Sequence, residues 1–300
     1  MPPEIAFRHD YTFEYGVLET VSPGIRRVVA RNAGPYTFHG TGTYVIGRGN
    51  VAVIDPGPAS VEHIEALLKG LGGESISHVL VTHTHLDHSP GAALLRQHSD
   101  APTYGFGPHG AGKFLSGEQV EEGADFDFVP DISVGHGDVI EGDEWSFECV
   151  HTPGHTSNHL CFQYREPSAL FSGDHVMGWS TTVISPPDGD MSAYMQSLRL
   201  LLDRDDKVFW PTHGPCIDAP HPYVRSFIEH RSERVRQILE CIEDGTGRVA
   251  EMVPRMYPHL DAALHPAAVR QVFAAVLSLL DEHKIYCEGP PAIDAHYQVR

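Results

Sequence analysis

Short β-branched runs punctuated by Gly, Pro or Asp recur through the first two thirds of the chain: TYVIG (43–47), VAVIDPG (51–57), HVLVT (78–82), WSFECV (145–150), HLCFQY (159–164), ALFSGD (169–174) and KVFWP (207–211). Each reads as a strand whose C-terminal end opens into a loop. Between them the apolar positions take helical spacing over 61–71, 91–98 and 193–202, with Tyr194, Leu198 and Leu201 on one stripe. Strands interleaved with helices predict a layered α/β domain. After Pro220 the pattern becomes helical throughout. Pro222 is tolerated in a first turn, and Val224, Phe227, Ile228, Val235, Ile238, Leu239 and Ile242 follow at helical spacing until Gly245. A short helix over 248–257 stops at Pro258. A third starts at Pro266, with Val269, Phe273, Val276, Leu277 and Leu280 as its expected buried stripe. Two β-like pieces, 285–287 and 297–299, flank Gly289-Pro290-Pro291 and suit a small hairpin. The expected organisation is therefore a main α/β domain over 1–218 and a winged-helix-like helical domain over 219–300.

Three hundred residues, 41% of them hydrophobic, are enough for a substantial core. Twenty-one Lys and Arg stand against 40 Asp and Glu, a net charge of −19, and the acidic excess lies mostly before residue 219. Such a field repels phosphate backbones and anionic lipid surfaces at long range. Cys149, Cys161, Cys216, Cys241 and Cys287 are odd in number and form no C-x-x-C pair, so no disulfide framework is expected. With no basic-then-apolar leader and no apolar run long enough to span a bilayer, a cytoplasmic protein without a membrane partner is expected.

The 21 histidines change the picture because several cluster with ligand spacing. In VLVTHTHLDH (79–88), His83 and His85 follow an apolar strand two residues apart, and Asp87 and His88 come next, before a helix. Residues i and i+2 of extended backbone face the same side, while the pair in the turn beyond can aim at a neighbouring point. Imidazole and carboxylate together suit zinc, and also iron or manganese. Three more ligand-type residues sit in Gly-containing turns after strands: His155 in HTPGHT (151–156), Asp174 in FSGDH (171–175) and His213 in PTHGP (211–215). Small neighbours let backbone approach a metal closely.

With these motifs in this order, the chain over about 25–218 resembles the metallo-β-lactamase superfamily. The resemblance implies an αββα sandwich with its site at one edge. It implies one metal on His83, His85 and His155, a second on Asp87, His88 and His213, and Asp174 between them. Two divalent ions, less the charges of Asp87, Asp174 and a bridging hydroxide, leave about one positive charge, which favours hydrolytic attack on an acyl or phosphoryl centre. Asp87 and Asp174 are the expected catalytic residues, Asp87 by orienting the nucleophile or carrying its proton. Asp174 stands where zinc β-lactamases carry Cys or Ser, which argues against β-lactam specialisation.

The segments GPYTFHGTGTYVIG (34–47), GDHVMGWSTT (173–182) and YVRSFIEHRSERVRQIL (223–239) resemble the β-lactamase-like protein 2 group, which carries a C-terminal winged-helix-like unit and includes single-stranded-RNA endonucleases. Gly42 departs from the GTNTY segment common there. The acidic balance departs too, since an RNA groove needs Lys and Arg and the third C-terminal helix offers Arg270 before Lys284. The expected function is hydrolysis of a small ester, thioester or related substrate. A metal-dependent single-stranded-RNA endoribonuclease is the alternative, and a nucleic-acid-binding or partner-binding module with a structural metal site is a third, weaker reading. Asp55 is a candidate to orient a metal-binding imidazole. His151, His159 and His175 flank the turns as structural or supporting groups. Ser180, Thr181 and Thr182 open a loop that shapes a pocket, with Trp179 and Tyr194 as core residues beside it.

Overall fold

A computed structural model describes residues 5–111, 113 and 123–300. The chain opens with an antiparallel meander, β1 (Glu19–Ser22), β2 (Ile25–Val29), β3 (Gly42–Ile46) and β4 (Asn50–Ile54). Helix α1 (Val61–Leu71) then crosses to β5 (Ser75–Leu80), and α2 (Gly91–Leu95) to β6 (Thr103–Gly105) and β7 (Ile132–Ser133). These three strands continue the sheet in parallel, in the order β1 to β7. A second sheet of five strands runs β8 (Val139–Glu141), β9 (Ser146–His151), β10 (Leu160–Tyr164) and β11 (Ala169–Gly173) antiparallel. After α3 (Met191–Leu202), β12 (Val208–Pro211) joins it parallel to β11. The chain ends with α4 (Pro220–Glu243), α5 (Val249–Met256), α6 (His265–Asp281) and a hairpin of β13 (Ile285–Cys287) and β14 (Tyr297–Val299).

The layers follow from strand alternation. Tyr44, Ile46, Ile54 and Leu80 point from the first sheet toward Phe147, Leu160, Phe162 and Phe171 of the second. The alternate positions Val45, Val53 and Val79 pack beneath Ile64, Leu67 and Leu71 of α1. Val150, Cys161, Leu170 and Phe209 on the other outer face meet Tyr194, Leu198 and Leu201 of α3. Helices thus cover both outer faces of two stacked sheets, the αββα arrangement expected from the resemblance. The last core continues into the C-terminal helices through Val224, Phe227, Ile238, Met252 and Val276 without a break. Burying each of these large side chains contributes roughly 1.5–3 kcal/mol relative to exposure.

Local chemistry sets the helix ends. Ser60 caps α1 by accepting from the His63 amide at 3.2 Å, and Asp190 caps α3 by accepting from Ala193 at 3.0 Å. The three expected C-terminal helices and both hairpin strands form. Of the expected α6 stripe Val276 is buried, together with Val272, Ala275 and Leu279, whereas Val269, Phe273, Leu277 and Leu280 are only partly so. Alanines 274 and 275 let the helix approach closely on that side, so the face turns. β2 had no sequence signal because Arg26 and Arg27 interrupt its apolar run, yet all five of its residues are buried. Arg26 pairs with Glu74, and Arg27 lies 4.6 Å from the centre of the Tyr11 ring. All five cysteines are free. No helix among the described residues is long and apolar enough to cross a membrane.

Candidate metal centre

All seven ligand-type residues converge at the C-terminal edges of the two sheets. His83 and His85 leave the end of β5, Asp87 and His88 occupy the turn before α2, His155 follows β9, Asp174 ends β11 and His213 follows β12. Gly173 permits the close approach. It lies at φ 51°, and a Cβ there would stand 2.6 Å from His159 Nε2. Gly154, at φ 142°, would drive a Cβ into the backbone of Tyr194.

His83 Nε2 and His155 Nε2 lie 2.9 and 3.0 Å from His85 Nδ1. His88 Nε2 and His213 Nε2 lie 3.3 and 3.1 Å from Asp87 Oδ2. Asp174 stands between these groups. Its Oδ1 is 3.6 Å from His88 Nε2 and 3.4 Å from His213 Nε2, while its Oδ2 is 3.7 Å from His155 Nε2. The donor atoms of His83, His85 and His155 fall within 4.8 Å of one another, as do those of Asp87, His88 and His213, and of His83, His88 and Asp174.

The outward nitrogens are fixed by hydrogen bonds that leave the inward ones as lone-pair donors. His88 Nδ1–H donates to Asp55 Oδ2 at 2.9 Å, His155 Nδ1–H to the Val183 carbonyl at 2.6 Å, and His213 Nδ1–H to the Gly40 carbonyl at 3.2 Å. Thr82 Oγ1 donates to Asp55 Oδ2, so its oxygen is left to accept from His83 Nδ1 at 3.0 Å. Consequently His88 Nε2, His213 Nε2 and Asp174 Oδ1 are buried without a hydrogen-bond partner. Such orphans are costly unless something else satisfies them. A cation does so, and imidazole with carboxylate is a donor set that fits zinc, iron or manganese.

With no ion to answer the carboxylates, a proton takes that place, so the imidazoles facing them are pushed toward the charged form. Burial disfavours charge on His213, but Asp174 and Asp87 outweigh it and push its pKa up to about 10. His88 is likewise raised despite burial, by Asp87, Asp174 and Asp55. Burial alone would raise Asp87 and Asp174, yet the facing imidazoles hold both well below the usual carboxylate range. His83 is kept neutral by burial and by His88, His85 and His155. The carboxylate side of the centre draws positive charge, and the His83 side offers neutral ligands.

The supporting residues are placed as follows. Asp55 is fully buried at φ 49° and accepts from the Thr82 amide and hydroxyl at 2.8 Å each, and from the Thr212 hydroxyl at 2.9 Å. His159 Nε2 accepts from the Asp174 amide at 3.2 Å, and His151 Nε2 faces the Ser157 carbonyl at 2.9 Å. His175 is buried beside the Tyr194 ring, with burial pushing its pKa down to about 3. Thr182 Oγ1 can donate to the Asp174 carbonyl at 2.7 Å or the His175 carbonyl at 2.9 Å. Tyr194 Oη donates to the His175 carbonyl, and Trp179 stacks on Phe38 at 4.8 Å. Gly42 N–H donates to the Thr212 carbonyl at 2.8 Å, tying β3 to the His213 turn. Sequence reasoning missed Thr82 and Thr212 as partners of Asp55. It also missed Arg231, whose guanidinium donates to the Thr182 carbonyl from α4. A polar residue preceding a ligand histidine was the available signal for Thr82 and Thr212, whereas Arg231 had none.

A cavity of about 430 Å3 opens on this centre, reached by His85, Asp87, His155, Asp174 and His213. Its remaining wall is mainly apolar, with Pro58, Leu86, Met177, Val183 and Ala267.

The profile of the metallo-beta-lactamase superfamily matches residues 36–213. The lactamase-like protein adaB of Aspergillus niger is 30% identical over 297 residues, covering 92% of this chain and 86% of that protein. The beta-lactamase-like protein 2 homolog of Caenorhabditis elegans is 32% identical over 235 residues, 76% and 74% of the two chains. The atrochrysone carboxyl ACP thioesterase of Aspergillus fumigatus is 30% identical over 264 residues, 82% and 77% of the two. Among solved structures, a beta-lactamase domain protein from Burkholderia ambifaria superposes with a TM-score of 0.79 at 18% identity, over 99% of this chain and 97% of that one. The chain belongs to the metallo-beta-lactamase superfamily and is one of its hydrolases.

Proposed function

We propose that the chain is a dinuclear metal-dependent hydrolase of small acyl thioesters or esters. The observation that carries this reading is the stance of Asp174, one oxygen toward His88 and His213 and the other toward His155. In this reading His83, His85 and His155 hold one ion, Asp87, His88 and His213 a second, and Asp174 both. Zinc is preferred, with iron or manganese accepted by the same donors. When bound, the ions supply a water acidified toward neutral pH and positive charge facing the acyl oxygen. Asp87, whose Oδ2 accepts from Thr41 Oγ1 at 3.3 Å, would orient that water or carry its proton toward the leaving group. The apolar wall holds the acyl chain and excludes bulk water.

Thioesters are favoured over other acyl substrates because a relative matching 82% of the chain is named as an acyl-carrier thioesterase. Residues 1–218 serve as the catalytic unit in this account, and 219–300 as a winged-helix-like unit that completes the pocket. RNA cleavage is disfavoured because a nucleic-acid track needs a basic groove, and among the described lining residues Arg270 is the one Lys or Arg. The test is a hydrolysis panel of acyl thioesters, esters, phosphodiesters and unstructured RNA on metal-analysed protein, with His85→Ala as the blank. Thioester turnover absent from the blank supports the reading. Metal-dependent RNA cutting without acyl hydrolysis replaces it with the nuclease.

A further inference from the structure

The three candidate holders of the second ion are each supported by a hydrogen bond. His88 has Asp55, His213 has the Gly40 carbonyl at 3.2 Å, and Asp87 has the Thr41 hydroxyl at 3.3 Å. Two of these supports are adjacent residues just before β3. His83 and His155 of the first group are held from elsewhere, by Thr82 and by the Val183 carbonyl.

Asn32 fixes the Gly40–Thr41 pair. Its Oδ1 accepts from the Thr41 amide at 2.9 Å, which leaves Nδ2 as the donor to Thr41 Oγ1, also at 2.9 Å. A hydroxyl has one proton and two lone pairs, so with Asn32 donating to its oxygen its proton is left for Asp87 Oδ2. That bond selects which carboxylate oxygen faces His88 Nε2 and His213 Nε2, at 3.3 and 3.1 Å. A carboxylate torsion is otherwise broad and nearly two-fold. The accepting oxygen keeps a second lone pair for a cation. Asn32 is anchored in turn, since its carbonyl accepts from Thr37 Oγ1 at 2.6 Å, and Thr41 is fully buried with its carbonyl bonded to the Ala30 amide at 2.8 Å.

We propose that Asn32 is a positioning residue for the second ion, acting through the Thr41 hydroxyl on Asp87 and through the Gly40–Thr41 backbone on His213. This rests on the dinuclear reading. Loss of an outer support of a ligand weakens metal binding about 10- to 100-fold, and here the loss falls on one ion of the two.

Zinc binding to the metal-stripped full chain, read by competition with a chelating dye, tests this. Asp87→Ala identifies the second ion as the binding step it abolishes. Asn32→Ala and Thr41→Val are expected to weaken that step about tenfold or more and leave the other unchanged, while Thr41→Ser, which keeps the hydroxyl, retains it. Thr41→Val exchanges one hydroxyl for a methyl, so it tests the bond even where loss of the Asn32 side chain loosens the loop. Thermal melts of the stripped proteins check folding, and acyl thioester and ester turnover is followed beside the binding. Wild-type affinity for the second ion in Thr41→Val, equal weakening of both ions, or a Thr41→Ser loss as large as that of Thr41→Val overturns the proposal. Wild-type acyl turnover then leaves the hydrolase reading standing. The expected binding pattern without any acyl turnover keeps the positioning role and removes the hydrolase reading. Folded wild-type protein that takes up one ion or none removes both.

Discussion

Asp55 Oδ2 accepts a hydrogen bond from His88 Nδ1–H at 2.9 Å, with both side chains fully buried. That bond fixes the tautomer that turns His88 Nε2 toward Asp87 and Asp174. Asp55 is itself held by Thr82 and Thr212, whose neighbours His83 and His213 are ligand candidates, so one carboxylate orders three of the seven. Asp55→Asn is expected to lower metal affinity about 10- to 100-fold, as loss of an outer-shell carboxylate does. Competition against a chelating dye measures it, with circular dichroism as the check on folding. Wild-type affinity in the variant contradicts the role given to Asp55.

The loop after Asp174 is clamped from two directions. Thr182 Oγ1 reaches the carbonyls of Asp174 and His175, and Arg231 reaches the Thr182 carbonyl while its guanidinium lies 5.4 Å from the centre of the Tyr194 ring. Thr182→Val keeps the shape and removes the donor, which is expected to cost about 1–3 kcal/mol. In a chain of this size that is a fall in melting temperature of roughly 2–4 °C per kcal/mol. Arg231→Met is expected to cost at least as much, because a charged donor is lost from a buried site. Thermal melts of both variants, with chelator titrations beside them, should show weaker metal binding together with the lower stability. Melts unchanged from wild type contradict the clamp.

Asp131 supplies a pH dependence away from the centre. The Thr103 amide, the Arg96 guanidinium and the Thr103 hydroxyl bond its carboxylate and pull its pKa down from 3.8 to about 2. The folded pKa lies below the unfolded one, so the contribution is present above about pH 4 and is lost as pH falls toward 2. The side chain is 38% exposed, so solvent screening holds it to about 1 kcal/mol or less. Denaturant unfolding of wild type and Asp131→Asn at pH 5, 4 and 3 should show a gap that narrows as pH falls. A gap independent of pH contradicts the assignment.

The sequence disclosed the centre more fully than the frame around it, for a physical reason. Ligand-type residues at strand ends are read one by one, and His83, His85, Asp87 and His88 lie within six consecutive positions. Strands buried on both faces, such as those carrying Val45 and Val53, announce themselves as unbroken apolar runs. By contrast, Ile25–Val29 is a strand because Arg26 finds Glu74 and Arg27 finds Tyr11. Those partners are distant in sequence, so no local pattern reveals them. Strands as short as Ile132–Ser133 carry too few residues for any periodicity. The face of α6 depended on two alanines whose small size matters only once a neighbouring helix is present. Arg231 and Arg270 look like ordinary solvated residues until α4 and α6 are packed against the loop after Asp174.

The account rests on two ions held by seven residues of one chain, and elemental analysis of the purified, dialysed protein tests this most directly. It predicts about two equivalents of divalent metal per chain in wild type and at most about one in Asp174→Ala. Wild-type protein that is folded yet retains no stoichiometric metal after incubation with zinc, iron or manganese would contradict it.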